Sequence, residues 1–214
     1  KRILYLSIHG IEDGLRTFGA QTRYDWYVLQ NKSSLPDHKT TVRDQKGHIF
    51  PATLFGLPFI PNFNFEQVIN LLAKDGEDKC KILYSRSIHG ADKSWMNKVC
   101  QDRFQYPCVY SIKSDGAVTF CYSSRKSEHF GTPKVIFPSG AYQSVGLLVD
   151  KKGEFGLTQW ATGIVDKPEH LENISKAMRS QAFIDLYYAF AMSTTELDKD
   201  ILRHFRRDFY KSFI

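Results

Sequence analysis

Lysine, arginine and planar polar side chains recur in the turns of this chain. Tyr84–Lys93 carries Arg86, His89 and Lys93, and Ser123–His129 carries Arg125 and Lys126. The Ser139–Ser144 segment adds Tyr142 and Gln143, while Asp150-Lys151-Lys152 and Arg43-Asp44-Gln45-Lys46 read as basic hairpin tips. Duplex DNA is gripped by Lys and Arg at phosphates and read by bidentate side chains at base edges, Gln being suited to adenine. Any one of these turns is explained as well by a solvated charged loop. Their recurrence is what points to a nucleic-acid surface.

Other chemistries leave weaker traces. The sequence contains no GxxxxGK[ST], no GxGxxG after a strand and no GxSxG elbow. It also lacks the Asn/Asp-Pro-Pro-Tyr/Phe signature of amino-group DNA methyltransferases, for which Asn62-Phe63-Asn64-Phe65 is no substitute. Asp37 followed by Glu77-Asp78-Lys79 mimics a magnesium nuclease, in which carboxylates and a Lys hold the metal and attacking water. Glu77, however, lies in a charged run typical of a turn after a helix. The seven His show no HExxH or His-x-His spacing, so no metal site is assigned. Cys108, inside an apolar strand, reads as structural.

The net charge of +6 lies wholly in the first two thirds, since residues 135–214 balance ten cations against ten acids. That excess suits a polyanionic partner. Aromatic residues make up 14% of the chain, enough both to fill a core and to leave rings that stack on bases. Cys80, Cys100, Cys108 and Cys121 have no CxxC or zinc-finger spacing and read as reduced thiols of a cytoplasmic protein. No apolar run approaches the roughly 18 residues of a membrane span, and no signal peptide is read. A chain opening at Lys1, directly in a strand, suggests a fragment of something longer.

These turns need a scaffold, and the pattern predicts a mixed α/β fold, β-rich with several hairpins in its N-terminal and central parts and closed by C-terminal helices. Strands are expected at Arg2–Ile8 and Thr22–Gln30, and a hairpin joins 40–43 to 48–54 through Asp44–Gly47. A helix is expected over Phe65–Lys74, then a strand at Lys81–Ser85 and a short helix over Lys93–Val99. Pro107–Lys113 and Ala117–Tyr122 pair through Ser114-Asp115-Gly116. Lys134–Phe137 reads as a buried strand, and Val145–Val149 with Phe155–Gln159 as another hairpin. Helix is expected from Pro168 to about Met192 and over Asp198–Arg206. The chain is taken as one domain, 1–214, with a possible lobe at 1–75 and a main lobe at 76–214. One echo stands out: Arg2–Gly10 and Lys81–Gly90 share Ile-Leu-Tyr and end in Ser-Ile-His-Gly, from duplication or coincidence.

Four stretches carry a resemblance to a known family. They are Arg23–Gln30 leading to Phe59–Phe63, Tyr84–Ser87 with Lys93–Met96, His129–Phe137 followed by Gly153–Gln159, and Phe205–Phe213. Together they resemble the C-terminal target-recognition region of bifunctional type IIS/IIG restriction–modification enzymes and adenine-specific DNA methyltransferases. The resemblance implies a target-recognition-like domain that binds double-stranded DNA sequence-specifically. It would position a catalytic domain elsewhere in the same polypeptide, one using S-adenosylmethionine and Mg. Without methyl-donor motifs this chain holds no cofactor and no catalytic residue of its own. The expected DNA contacts are Arg86, His89, Lys93, Arg125, Lys126, Tyr142 and Gln143, with Lys151 and Lys152 on phosphate and Arg86 reading a guanine. The alternatives are a metal-dependent endonuclease and a protein–protein docking module.

Overall fold

Leu6 and Ile8 alternate with Tyr5, Ser7 and His9, the period-two pattern of a strand with two different faces. In the computed structural model, which describes residues 1–33, 35–139, 146–191 and 198–214, this strand organises the first of two units. Unit one is Lys1–Ile69 with Tyr188–Phe190, and unit two is Asn70–Tyr187 with Ala191–Ile214. The fold is mixed α/β and mostly β, with three four-stranded sheets among the described residues. No helix among the described residues is long and apolar enough to cross a membrane.

Unit one contains β1 (Arg2–His9), α1 (Ile11–Phe18), β2 (Tyr24–Gln30), β3 (Lys39–Arg43), β4 (Ile49–Thr53) and α2 (Phe65–Ile69). The sheet order is β2-β1-β3-β4, with β1 antiparallel to β2 and parallel to β3. Leu6, Ile8 and Val42 bury one face against Phe65. The opposite face stacks Tyr5 on Trp26 and His9 on Tyr24. The helix α1 was not anticipated from the sequence. Its acidic first turn, Glu12-Asp13, and the Gly19 N–H bonded to Leu15 O at its end are both favourable. The helix expected over Phe65–Lys74 stops at Ile69. Beyond it the backbone turns extended: Leu72 bridges Phe205, Ala73 N–H donates to His204 O, and Arg206 N–H donates to Leu71 O.

Unit two holds β5 (Lys81–Leu83), β6 (Met96–Asn97), β7 (Tyr106–Ile112), β8 (Val118–Ser123), β9 (Lys134–Pro138), β10 (Leu148–Asp150), β11 (Gly156–Leu157) and β12 (Ala161–Val165). One sheet runs β10-β9-β12-β5 and the other β11-β7-β8-β6. Val109, Ile112, Ile136, Leu157 and Ala161 form the core between them. The hairpin expected at 145–159 does not form: β10 pairs with β9, while β11 runs parallel to β7. The cause is Asp150, whose carboxylate accepts the Glu154 and Phe155 N–H groups and curls the chain away from its own strand. Gly153 completes that turn at φ +69°, pressed against the Gly131–Thr132 backbone where a side chain would collide.

The helix expected over Lys93–Val99 is replaced by a turn and β6, because Met96 is buried against Cys108 and Cys121. At the C-terminus α3 (Leu171–Arg179) packs on β9 and β10 and is followed by α4 (Gln181–Phe190) and α5 (Lys199–Leu202). The continuous helix expected from Pro168 starts later and breaks at Ser180, which leaves helical geometry (ψ 144°) and caps α4 by accepting the Phe183 N–H. All four cysteines are free thiols, Cys100 exposed and the other three buried.

Candidate nucleic-acid interface

Two loops of unit two carry most of the basic residues singled out by sequence. One follows β5 and holds Arg86, His89 and Lys93; the other joins β8 to β9 and holds Arg125 and Lys126. Four contacts tie them together. His89 Nε2 and Ser127 Oγ share a 2.8 Å hydrogen bond. The Arg125 guanidinium lies 3.5 Å over the Trp95 ring. The Ser124 N–H donates to Trp95 O at 2.9 Å. The His89 and His129 rings meet edge-on, centroids 5.4 Å apart. Within the first loop, Trp95 Nε1–H donates to Ile88 O, and the Gln159 side chain accepts the Ala91 N–H.

The placement separates the expected contacts into two kinds. Arg86, Arg125 and Lys126 are exposed, and Lys93 is partly so, paired with Asp92 at 3.4 Å. Lys126 also sits 5.3 Å over the Tyr106 ring. His89, by contrast, is 0% exposed and cannot offer an edge to a base in this conformation. Burial, with nearby His129 second, pushes its pKa down to about 4, so it is neutral at ordinary pH. His129 is likewise buried and shifted down. Its Nδ1 accepts the Leu157 N–H at 3.2 Å, which leaves the proton of the neutral ring on Nε2.

The Asp150–Gly153 turn meets the end of the second loop. Gly131 N–H donates to Gly153 O at 2.8 Å. The buried Lys134 ammonium binds His129 O (2.9 Å), Thr132 O (3.0 Å) and Asp150 Oδ2 (2.7 Å). That places the Lys151–Lys152 tip on the same supporting frame. Lys152 is exposed, and Lys151 pairs with Glu172 at 2.9 Å. Tyr142 and Gln143 lie outside the described residues. The remaining basic tip, Arg43–Lys46, belongs to unit one, where Asp44 is buried and Lys46 lies over Phe63.

Glu77 accepts the Lys74 N–H and so closes a turn. Among the described residues no group of three or more His, Cys, Asp and Glu is placed to hold a metal ion. Sequence reading missed two polar clusters. In unit one, Ser7 Oγ meets His9 Nε2 at 2.9 Å and His9 Nδ1 meets Asp13 at 3.2 Å, the order of a nucleophilic triad. Ser7 is 0% exposed on a central strand, so no substrate reaches it; the chain of bonds fastens α1 to β1. Finding it in advance required the helix that brings Asp13 back over His9.

In unit two a cleft of about 520 Å³ is lined by Asp78, Asp166, His170, Arg206, Arg207 and Tyr210, among others. Burial alone would raise the Asp166 pKa, but hydrogen bonds from Arg207, His170 and the Lys167 N–H outweigh it and hold the carboxyl low. Four carboxylates, Glu77, Asp78, Asp166 and Asp208, line the cleft with Arg206, Arg207 and Lys211. Compared with known proteins, the chain matches no family model, no curated protein and no solved structure.

Proposed function

We propose that this chain binds double-stranded DNA sequence-specifically and positions a methyltransferase or endonuclease located elsewhere in a longer, cytoplasmic restriction–modification polypeptide. The observation that carries the reading is the joining of the 84–95 and 123–129 loops, which gathers Arg86, Lys93, Arg125 and Lys126 onto one pair of adjoining loops. The resemblance of the four sequence stretches agrees with it. S-adenosylmethionine and Mg belong, on this reading, to the catalytic part.

The test is fluorescence anisotropy of the 214-residue chain on duplex DNA across a salt series, after selection from a randomised duplex library. Enrichment of a defined site, with affinity that falls steeply with salt, is the expected result. Cleavage of the duplex with magnesium would favour the endonuclease alternative. Weak binding indifferent to sequence would favour a docking module. That second reading has its own support in unit one, where the edge strand β2 exposes Trp26, Tyr27, Val28 and Leu29.

A further inference from the structure

The cations on these loops are not equivalent, and the difference is one of preparation. Lys93 and Lys151 are partly spoken for by Asp92 and Glu172, and Lys126 is a point charge beside Tyr106. Arg86 is exposed, and among the described residues no side chain braces it. Among the described cations of these loops, Arg125 alone combines exposure with a ring in van der Waals contact. Its guanidinium rests on the indole at 3.5 Å, in van der Waals contact with the ring face. The indole is itself fixed, its N–H bonded to Ile88 O and its backbone carbonyl accepting the Ser124 N–H. The Arg125 backbone is fixed too, its N–H donating to Ser123 Oγ at 3.2 Å. Among the described residues no carboxylate pairs with this guanidinium.

A guanidinium with one face covered presents its N–H edge outward as a flat fork. That fork matches the adjacent O6 and N7 acceptors on the major-groove edge of guanine, a pairing Lys cannot reproduce. We infer that Arg125, held flat on Trp95, is the specificity-determining residue that reads a guanine, and that Trp95 is its positioning residue. This transfers to Arg125 the base-reading role that sequence alone suggested for Arg86, and it rests on the DNA-binding reading above. Arg86 and Lys126 then act on phosphates.

The experiment selects sites from a randomised duplex library with the wild-type chain. Affinities for the enriched site and for the same site carrying A·T at its most constrained G·C pair are then compared across variants. Arg125→Lys is expected to lower that affinity ratio by about 5- to 150-fold. Trp95→Leu lowers it partly, and Trp95→Phe, which restores an aromatic face, recovers part of what Leu loses. Arg86→Lys weakens both duplexes alike. An Arg125→Lys chain that keeps the full ratio overturns the assignment while leaving DNA binding in place, as does a loss of ratio confined to Arg86→Lys. A wild-type chain that enriches no site overturns both this inference and the reading beneath it. Arg125 is exposed, so its variant decides the matter even where the Trp95 variants fold poorly.

Discussion

Ser7-Ile8-His9-Gly10 and Ser87-Ile88-His89-Gly90 are the same four residues in two different structures. The first finishes a long central strand; its His is 11% exposed, stacks on Tyr24 and bonds Asp13 from the helix that follows. The second lies beyond the end of β5, in a loop, with a wholly buried His that bonds Ser127 from another loop. What comes next in the chain decides the outcome. Ile11-Glu12-Asp13 begins a helix that returns a carboxylate to its own histidine, whereas Ala91-Asp92 leads to a turn, and the partner arrives from far along the sequence. One motif serves as a local fastening and the other as a long-range tie.

That contrast orders the expected effects of substitution. The largest is at Lys134→Met, which strips the ammonium from His129 O and leaves Asp150 charged and buried without its partner. It should cost about 3–5 kcal/mol by urea unfolding. His89→Ala comes next, on the order of 2–3 kcal/mol, because it opens a cavity and removes the tie to Ser127. His9→Ala should cost only about 1 kcal/mol, since that ring is partly solvated and its strand is paired with β2 and β3. Equal costs at His9 and His89 would erase the distinction between fastening and tie.

Acid sharpens the same contrast. His89 binds protons more weakly folded than unfolded, its pKa lying near 4 against an ordinary 6.5. Its contribution is therefore complete above pH 6.5 and is lost as pH falls from there through about 4. The urea midpoint should decline over that window, and His89→Gln should flatten the decline.

The two hairpins at Asp44–Gly47 and Ser114–Gly116 were legible in the sequence because turn chemistry is local. Gly116, at φ +84°, marks a position most residues avoid. The strand Ala161–Val165 was not legible: its small residues make no alternating pattern, and its burial comes from lying between β9 and β5. The hairpin at 145–159 was misread because Gly153 suits a tight turn equally well when the strands beside it part company. At the candidate interface, the Arg86 and Arg125 loops stood out by composition. The burial of His89 did not, because Ser127 and His129 enclose it from a loop whose path depends on the whole β7–β8 hairpin.

The free thiols carry a practical consequence. Burial raises Cys80 and Cys108 to about 12 and shifts Cys121 upward as well, so all three stay protonated and shielded from electrophiles. Cys100 is the exposed one. A maleimide dye should therefore label the native chain at that single position, close along the backbone to Trp95, without any engineered handle.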